Sequence, residues 1–80
     1  MLHIRYFASL RDQMGRTEES LETTASTPKA LIAELQARDR QAELLGEPFV
    51  RIIINDEIAE LESPLSPGDT VAFCPPFSGG

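Results

Sequence analysis

The stretch LHIRYFA, residues 2–8, decides how the rest of the chain is read. Leu2, Ile4 and Tyr6 alternate with His3, Arg5 and Phe7, the period-two pattern of a strand with one face on a core and the other turned outward. A second stretch of this kind, TVAFC at 70–74, lies at the far end of the chain, with Val71 and Phe73 on one face and Ala72 and Cys74 on the other. Both are apolar enough to be central strands. Set side by side and parallel, with a helix across them, they define a small mixed sheet.

The intervening chain supplies the other elements. Ser9 offers an N-cap, Leu10 to Met14 make one or two helical turns, and Gly15 suits the stop. TEESLET (17–23) reads as an acidic, weakly apolar edge strand. Thr27 and Pro28 open the clearest helix, as N-cap and first helical residue. Leu31, Ile32 and Leu35 form its apolar stripe, with Ala30 and Ala33 nearby, and Glu34 and Arg38 are spaced for an i, i+4 pair on the wet side. The pattern fades near Asp39, and a second short turn over Ala42 to Leu45 ends at Gly46 and Pro48. FVRIIIN (49–55) is rich in β-branched residues, with Val50, Ile52 and Ile54 expected inward and Arg51 outward. Asn55-Asp56 signals a turn, EIAELE (57–62) a short return strand, and SPGD (66–69) a type II turn before the last strand.

The order β, short α, β, long α, β, short β, β, with one main helix on one sheet face, predicts an α+β fold of the β-grasp, ubiquitin-like kind. Residues 1–74 form the single domain and 75–80 an extended tail ending in Gly-Gly. The open face of the sheet then carries His3, Arg5, Phe7, Arg51, Ile53, Ala72 and Cys74. Phe7, Ile53, Ala72 and Cys74 are apolar on a charged protein, which suggests a docking patch.

Composition narrows the function classes. Eighty residues bury only about 60–65% of the unfolded chain's surface, enough for one modest core and no deep catalytic cleft. The net charge of −6 argues against nucleic acid or an anionic membrane as partner, since both reward clustered Lys and Arg. One cysteine excludes an internal disulfide. The charged N-terminus is unlike a signal peptide, and no apolar run reaches the roughly 20 residues of a membrane helix, so a cytoplasmic protein is expected.

Conventional catalytic constellations are absent from the sequence. His3 is the only histidine, Cys74 has no CxxC partner, and the carboxylates are scattered, so neither a metal nor a bound cofactor is expected. The tail remains. The seven residues after Phe73 reach at most roughly 23–25 Å when extended. Pro75-Pro76 ends sheet pairing and aims the tail at low entropy cost. Phe77 and the small Ser78 follow, and Gly79-Gly80 make it thin enough to enter a narrow channel and present the Gly80 carboxylate to another protein's active site. A carboxylate is a poor electrophile near pH 7, so it needs activation, for which an anhydride with AMP is the usual route.

Taken together, LHIRYFASLRDQMG, TPKALIAEL, INDE, PLSPGDTVAF and the ending PPFSGG resemble, over the whole length, the small subunits of molybdopterin synthase, a family of ubiquitin-like sulfur carriers. The resemblance implies that Gly80 is adenylated by an ATP-using activating enzyme and converted to a thiocarboxylate. The tail would then insert into the large synthase subunit and pass its sulfur to a pyranopterin precursor. It also implies a heterotetramer with two copies of each subunit, and a small subunit that is not an enzyme alone, its partner supplying the acid–base chemistry. Where the family often has an aromatic residue this chain has Cys74, which leaves a smaller contact unless Phe7 or Phe77 compensates. A sulfur carrier for another pathway, such as thiamine synthesis, is a rival reading. So is a ubiquitin-like protein modifier, although Lys29 is the only lysine available for chain building, and so is a plain interaction module.

Overall fold

The computed structural model describes residues 1–75. In chain order the elements are β1 (Leu2–Tyr6), α1 (Ser9–Met14), β2 (Glu18–Leu21), α2 (Pro28–Arg38), a 3-10 segment (Arg40–Gly46), β3 (Arg51–Ile54), β4 (Glu57–Ala59) and β5 (Thr70–Cys74). The expected order holds. The five strands form one sheet in the order β2-β1-β5-β3-β4. The two strands farthest apart in sequence lie at its centre and run parallel, with Ile4 opposite Val71 and Tyr6 opposite Phe73. All other pairings are antiparallel.

One face of this sheet and the apolar stripe of α2 make the core. Leu2, Ile4 and Tyr6 from β1, Val71 and Phe73 from β5, and Leu31, Ile32 and Leu35 from α2 are all buried. The Tyr6 and Phe73 rings stack across the central ladder with centroids 6.1 Å apart. Each such large side chain contributes about 1.5–3 kcal/mol through burial. Leu10 and Met14 of α1, with Ala42 and Leu45 of the 3-10 segment, close the ends of the same cluster. Helix α2 starts as expected, the Thr27 hydroxyl accepting from the Ala30 N–H ahead of Pro28. The turn over Ser66–Asp69 also matches, with Gly68 at φ +91° and the Asp69 N–H donating to the Ser66 carbonyl.

Two local expectations are corrected. Ser9 is not the cap of α1. That position falls to Ala8, at φ 51°, which makes no side-chain cap bond. The chain must turn sharply as it leaves the ladder. The Phe7 N–H is tied to the Phe73 carbonyl at 3.1 Å and the Leu10 N–H bends back to the Phe7 carbonyl at 3.1 Å, which forces Ala8 into a left-handed geometry that costs on the order of 1–3 kcal/mol. The second correction concerns α2, where Glu34 and Arg38 do not pair. Glu34 accepts from the Thr23 hydroxyl, while Arg38 reaches Glu19 on β2 at 3.0 Å. Both carboxylates are partly buried; Glu34 is engaged by Thr23, and Arg38 goes to Glu19, where Tyr6 and Arg16 also converge.

Candidate functional site: the open sheet face and the exit of the last strand

Strand β5 alternates between two surroundings. Val71 and Phe73 are fully buried under α2. Ala72 and Cys74 face the opposite side of the sheet, where no helix lies. After Cys74 comes Pro75, half-buried and the last described residue. Phe73 therefore anchors the end of β5 in the core, and Pro75, without an N–H, ends the ladder. Pro76, Phe77, Ser78, Gly79 and Gly80, all named from the sequence as tail or reactive residues, lie outside the described residues.

The registers place the expected interface residues in rows on the open face. Ala72 is opposite Arg5 on one side and Ile53 on the other, and Ile53 is opposite Ile58 on β4. One step toward the exit, Cys74 is opposite Arg51. Phe7, one residue past Tyr6, is held beside the same end by its N–H bond to the Phe73 carbonyl. Phe7 is 40% exposed, Ile53 and Cys74 are half-buried, and the four are brought together as expected. Ala72 is not an exposed patch residue. It is 8% exposed because its short side chain is the floor between the longer Arg5 and Ile53. Ile58 is the residue missed from the sequence. At 77% it is the most exposed large apolar side chain among the described residues. The two-residue turn at Asn55-Asp56 carried the signal, because it fixes Ile54 opposite Glu57 and hence Ile53 opposite Ile58.

Cys74 offers no nucleophile here. Burial pushes its thiol above the usual range, and the nearby Arg51 charge offsets this only in part, so the side chain stays neutral near pH 7 and packs as a small apolar group. His3 shares the open face and meets Ser20 across the β1–β2 ladder, its Nδ1 3.1 Å from the hydroxyl oxygen. Among the described residues no group of three or more His, Cys, Asp or Glu side chains could hold a metal ion. Among them, too, no helix is long and apolar enough to cross a membrane. The arrangement can do one thing well. It offers a firm, partly apolar sheet face that runs directly into the exit of the chain.

Comparison with known proteins agrees with this geometry. The profile of the ThiS family matches residues 4–80. A molybdopterin synthase sulfur carrier subunit from Haemophilus influenzae is 35% identical over the full length of both chains. Among solved structures, a putative molybdopterin converting factor subunit 1 from Pyrococcus furiosus superposes with a TM-score of 0.79 at 27% identity, covering 95% of this chain and 97% of that one. A complex of subunits 1 and 2 of the molybdopterin-converting factor from Helicobacter pylori contains a chain that matches with a TM-score of 0.71 at 25% identity, covering 99% and 97%. The β-grasp fold expected from two distant apolar alternations is thus the fold of the chain's relatives, and the chain belongs to the ThiS family.

Proposed function

We propose that the chain is the sulfur carrier subunit of a molybdopterin synthase and that its working group is the Gly80 carboxylate. The observation that carries this reading is the end-to-end match to a curated sulfur carrier subunit of that synthase, at 35% identity with both chains fully covered. The fold supports it by seating Phe73 in the core and releasing the chain at Pro75, at the edge of an open, partly apolar face.

The chemistry follows from the weakness of a carboxylate as an electrophile. A Gly80 carboxylate oxygen attacks the α-phosphorus of ATP on an activating enzyme, giving an acyl adenylate and releasing pyrophosphate. A sulfide-level sulfur donor then displaces AMP and leaves a thiocarboxylate. In the large subunit that sulfur passes to the pyranopterin precursor, and water returns Gly80 to the carboxylate. Gly79 keeps the approach narrow, Pro75 and Pro76 direct it, and Phe77 and Ser78 line the insertion. Phe7, Ile53 and Cys74, with Ala72 as the floor between them, form the contact with the large subunit. The complex holds two copies of each subunit and works in the cytoplasm, where ATP is at hand.

The test is to produce the full chain together with its activating enzyme and a sulfur source. The intact mass should rise by the difference between one sulfur and one oxygen, with the change in the last peptide, and the loaded chain should support precursor conversion by the large subunit. A chain that never acquires sulfur under these conditions overturns the carrier reading. A loaded chain that serves only another acceptor overturns the choice of pathway.

A further inference from the structure

The chain carries a net charge of −6, yet its open sheet face is not acidic. On the three central strands β1, β5 and β3, the outward side chains are His3, Arg5, Thr70, Ala72, Cys74, Arg51 and Ile53, with no carboxylate among them. Arg5 and Arg51 are both exposed and stand on either side of β5, one opposite Ala72 and the other opposite Cys74. Among the described residues neither makes an ion pair, whereas Arg16 and Arg38 are tied to Glu19 and Lys29 to Glu62. Glu18 lies opposite Arg5 in the β1–β2 register but does not pair with it. The Arg5 guanidinium carbon sits 5.2 Å from the centroid of the Phe7 ring, a cation–π contact that fixes the side chain without satisfying its N–H donors.

Exposed guanidiniums without an ion pair beside apolar side chains, that of Arg5 steadied by the Phe7 ring, are placed to meet planar acceptors on a partner. We propose that the open face recognises a protein surface that carries carboxylates flanking an apolar centre, and that Arg5 and Arg51 select it. The inference rests on the reading above, in which this face docks the large synthase subunit. It adds the chemistry of the surface that must face it, Asp or Glu side chains set to either side of the small apolar floor that Ala72 and Cys74 make on β5. A basic partner, the simple expectation for so acidic a chain, would place like charges against both arginines, and like charges brought together at an interface are what suppress wrong partners.

The test uses the full chain and its cognate large subunit in titration calorimetry at fixed ionic strength. Arg5→Glu and Arg51→Glu are combined, with Arg5→Gln and Arg51→Gln combined as the milder pair, and thermal unfolding confirms that each variant folds. Arg40→Glu, on the 3-10 segment, controls for net charge. The double reversal should weaken binding by about tenfold or more, the double Gln variant should lie between it and the unaltered chain, and Arg40→Glu should leave affinity unchanged. A double-reversal variant that binds less than tenfold more weakly, or more tightly, overturns the proposal. If the unaltered chain itself fails to bind the large subunit, the synthase reading falls and this one with it, an outcome distinct from a failure of the arginine variants alone.

Discussion

Glu19 shows how much a single side chain can tie together. The Tyr6 hydroxyl donates to it at 2.8 Å, Arg38 at 3.0 Å and Arg16 at 3.2 Å, so β1, β2 and α2 meet at one carboxylate. Burial disfavours its charge, but the hydrogen bonds from Arg38 and Tyr6, with the Arg38 and Arg16 charges, outweigh this and hold the carboxyl below the usual glutamate range. Burial and the bond to Glu19 push the Tyr6 phenol the other way, well above its ordinary value, so it remains a donor throughout the working range. A carboxyl whose pKa is lowered by folding stabilises the fold above the ordinary glutamate pKa and loses that contribution as the pH falls through the lowered, folded value. Glu19→Ala should therefore cost about 1–3 kcal/mol near pH 7, because a buried hydroxyl loses its acceptor. Urea unfolding across the acid range should show a flatter pH dependence for the variant than for the unaltered chain. If the two curves stay parallel down to strongly acid pH, Glu19 is not the group that titrates. The sequence made β2 legible as an acidic edge, but not the inward turn of Glu19. That needs the register of Glu19 against Ile4 and a tyrosine hydroxyl 13 residues away, neither of which a local pattern contains.

At the scale of elements, the β3–β4 hairpin is built on a two-residue turn with Asn55 at φ 49° and Asp56 at φ 71°, both left-handed. That is the geometry of a type I′ turn, whose twist matches the strands it joins. Asn55 does more than turn. Its side-chain amide donates to Asp69 at 2.9 Å and its side-chain oxygen accepts the Thr70 N–H at 3.0 Å, pinning the hairpin to the start of β5. The Ser66 N–H and this amide together hold the Asp69 carboxyl below its usual range. Asn55→Ala removes both bonds and puts a residue with no local compensation at positive φ, so a loss of about 2–3 kcal/mol is expected in urea unfolding. Asn55→Gly should recover part of it, since glycine accepts the dihedral but not the bonds. Equal losses in the two variants would show that the turn conformation carries no cost. The turn was legible from Asn-Asp alone. Its grip on β5 was not, because the partners are 14 and 15 residues away. The same turn settles the place of Ile58, and that was readable once the hairpin length was counted.

At the scale of the whole molecule, the core that folds and the Gly80 carboxylate proposed to react are separate in sequence. Among the described residues, every member of the buried cluster falls between Leu2 and Phe73, and the central β1–β5 ladder is complete before Pro75. This architecture was legible because two strongly alternating segments at opposite ends of the chain have one economical way to be buried together. The open face was legible in part. Its members follow from alternation, but how exposed each one is depends on the length of its cross-strand neighbours, which is why Ala72 is covered and Ile58 is not. The role proposed for Gly80 came from the tail's composition and from resemblance, since no packing pattern encodes it. If folding and reactivity are separable, the chain cut after Pro75 should keep its urea midpoint, with a stability change within about 0.5 kcal/mol, because the described core is built from residues between Leu2 and Phe73. The same variant should be unable to acquire sulfur from the activating enzyme. Circular dichroism and intact mass on one preparation read both halves of the prediction. A cut chain that unfolds markedly earlier would place part of the core's support beyond Pro75 and move the domain boundary toward Gly80. A cut chain that still takes up sulfur would remove Gly80 from the chemistry.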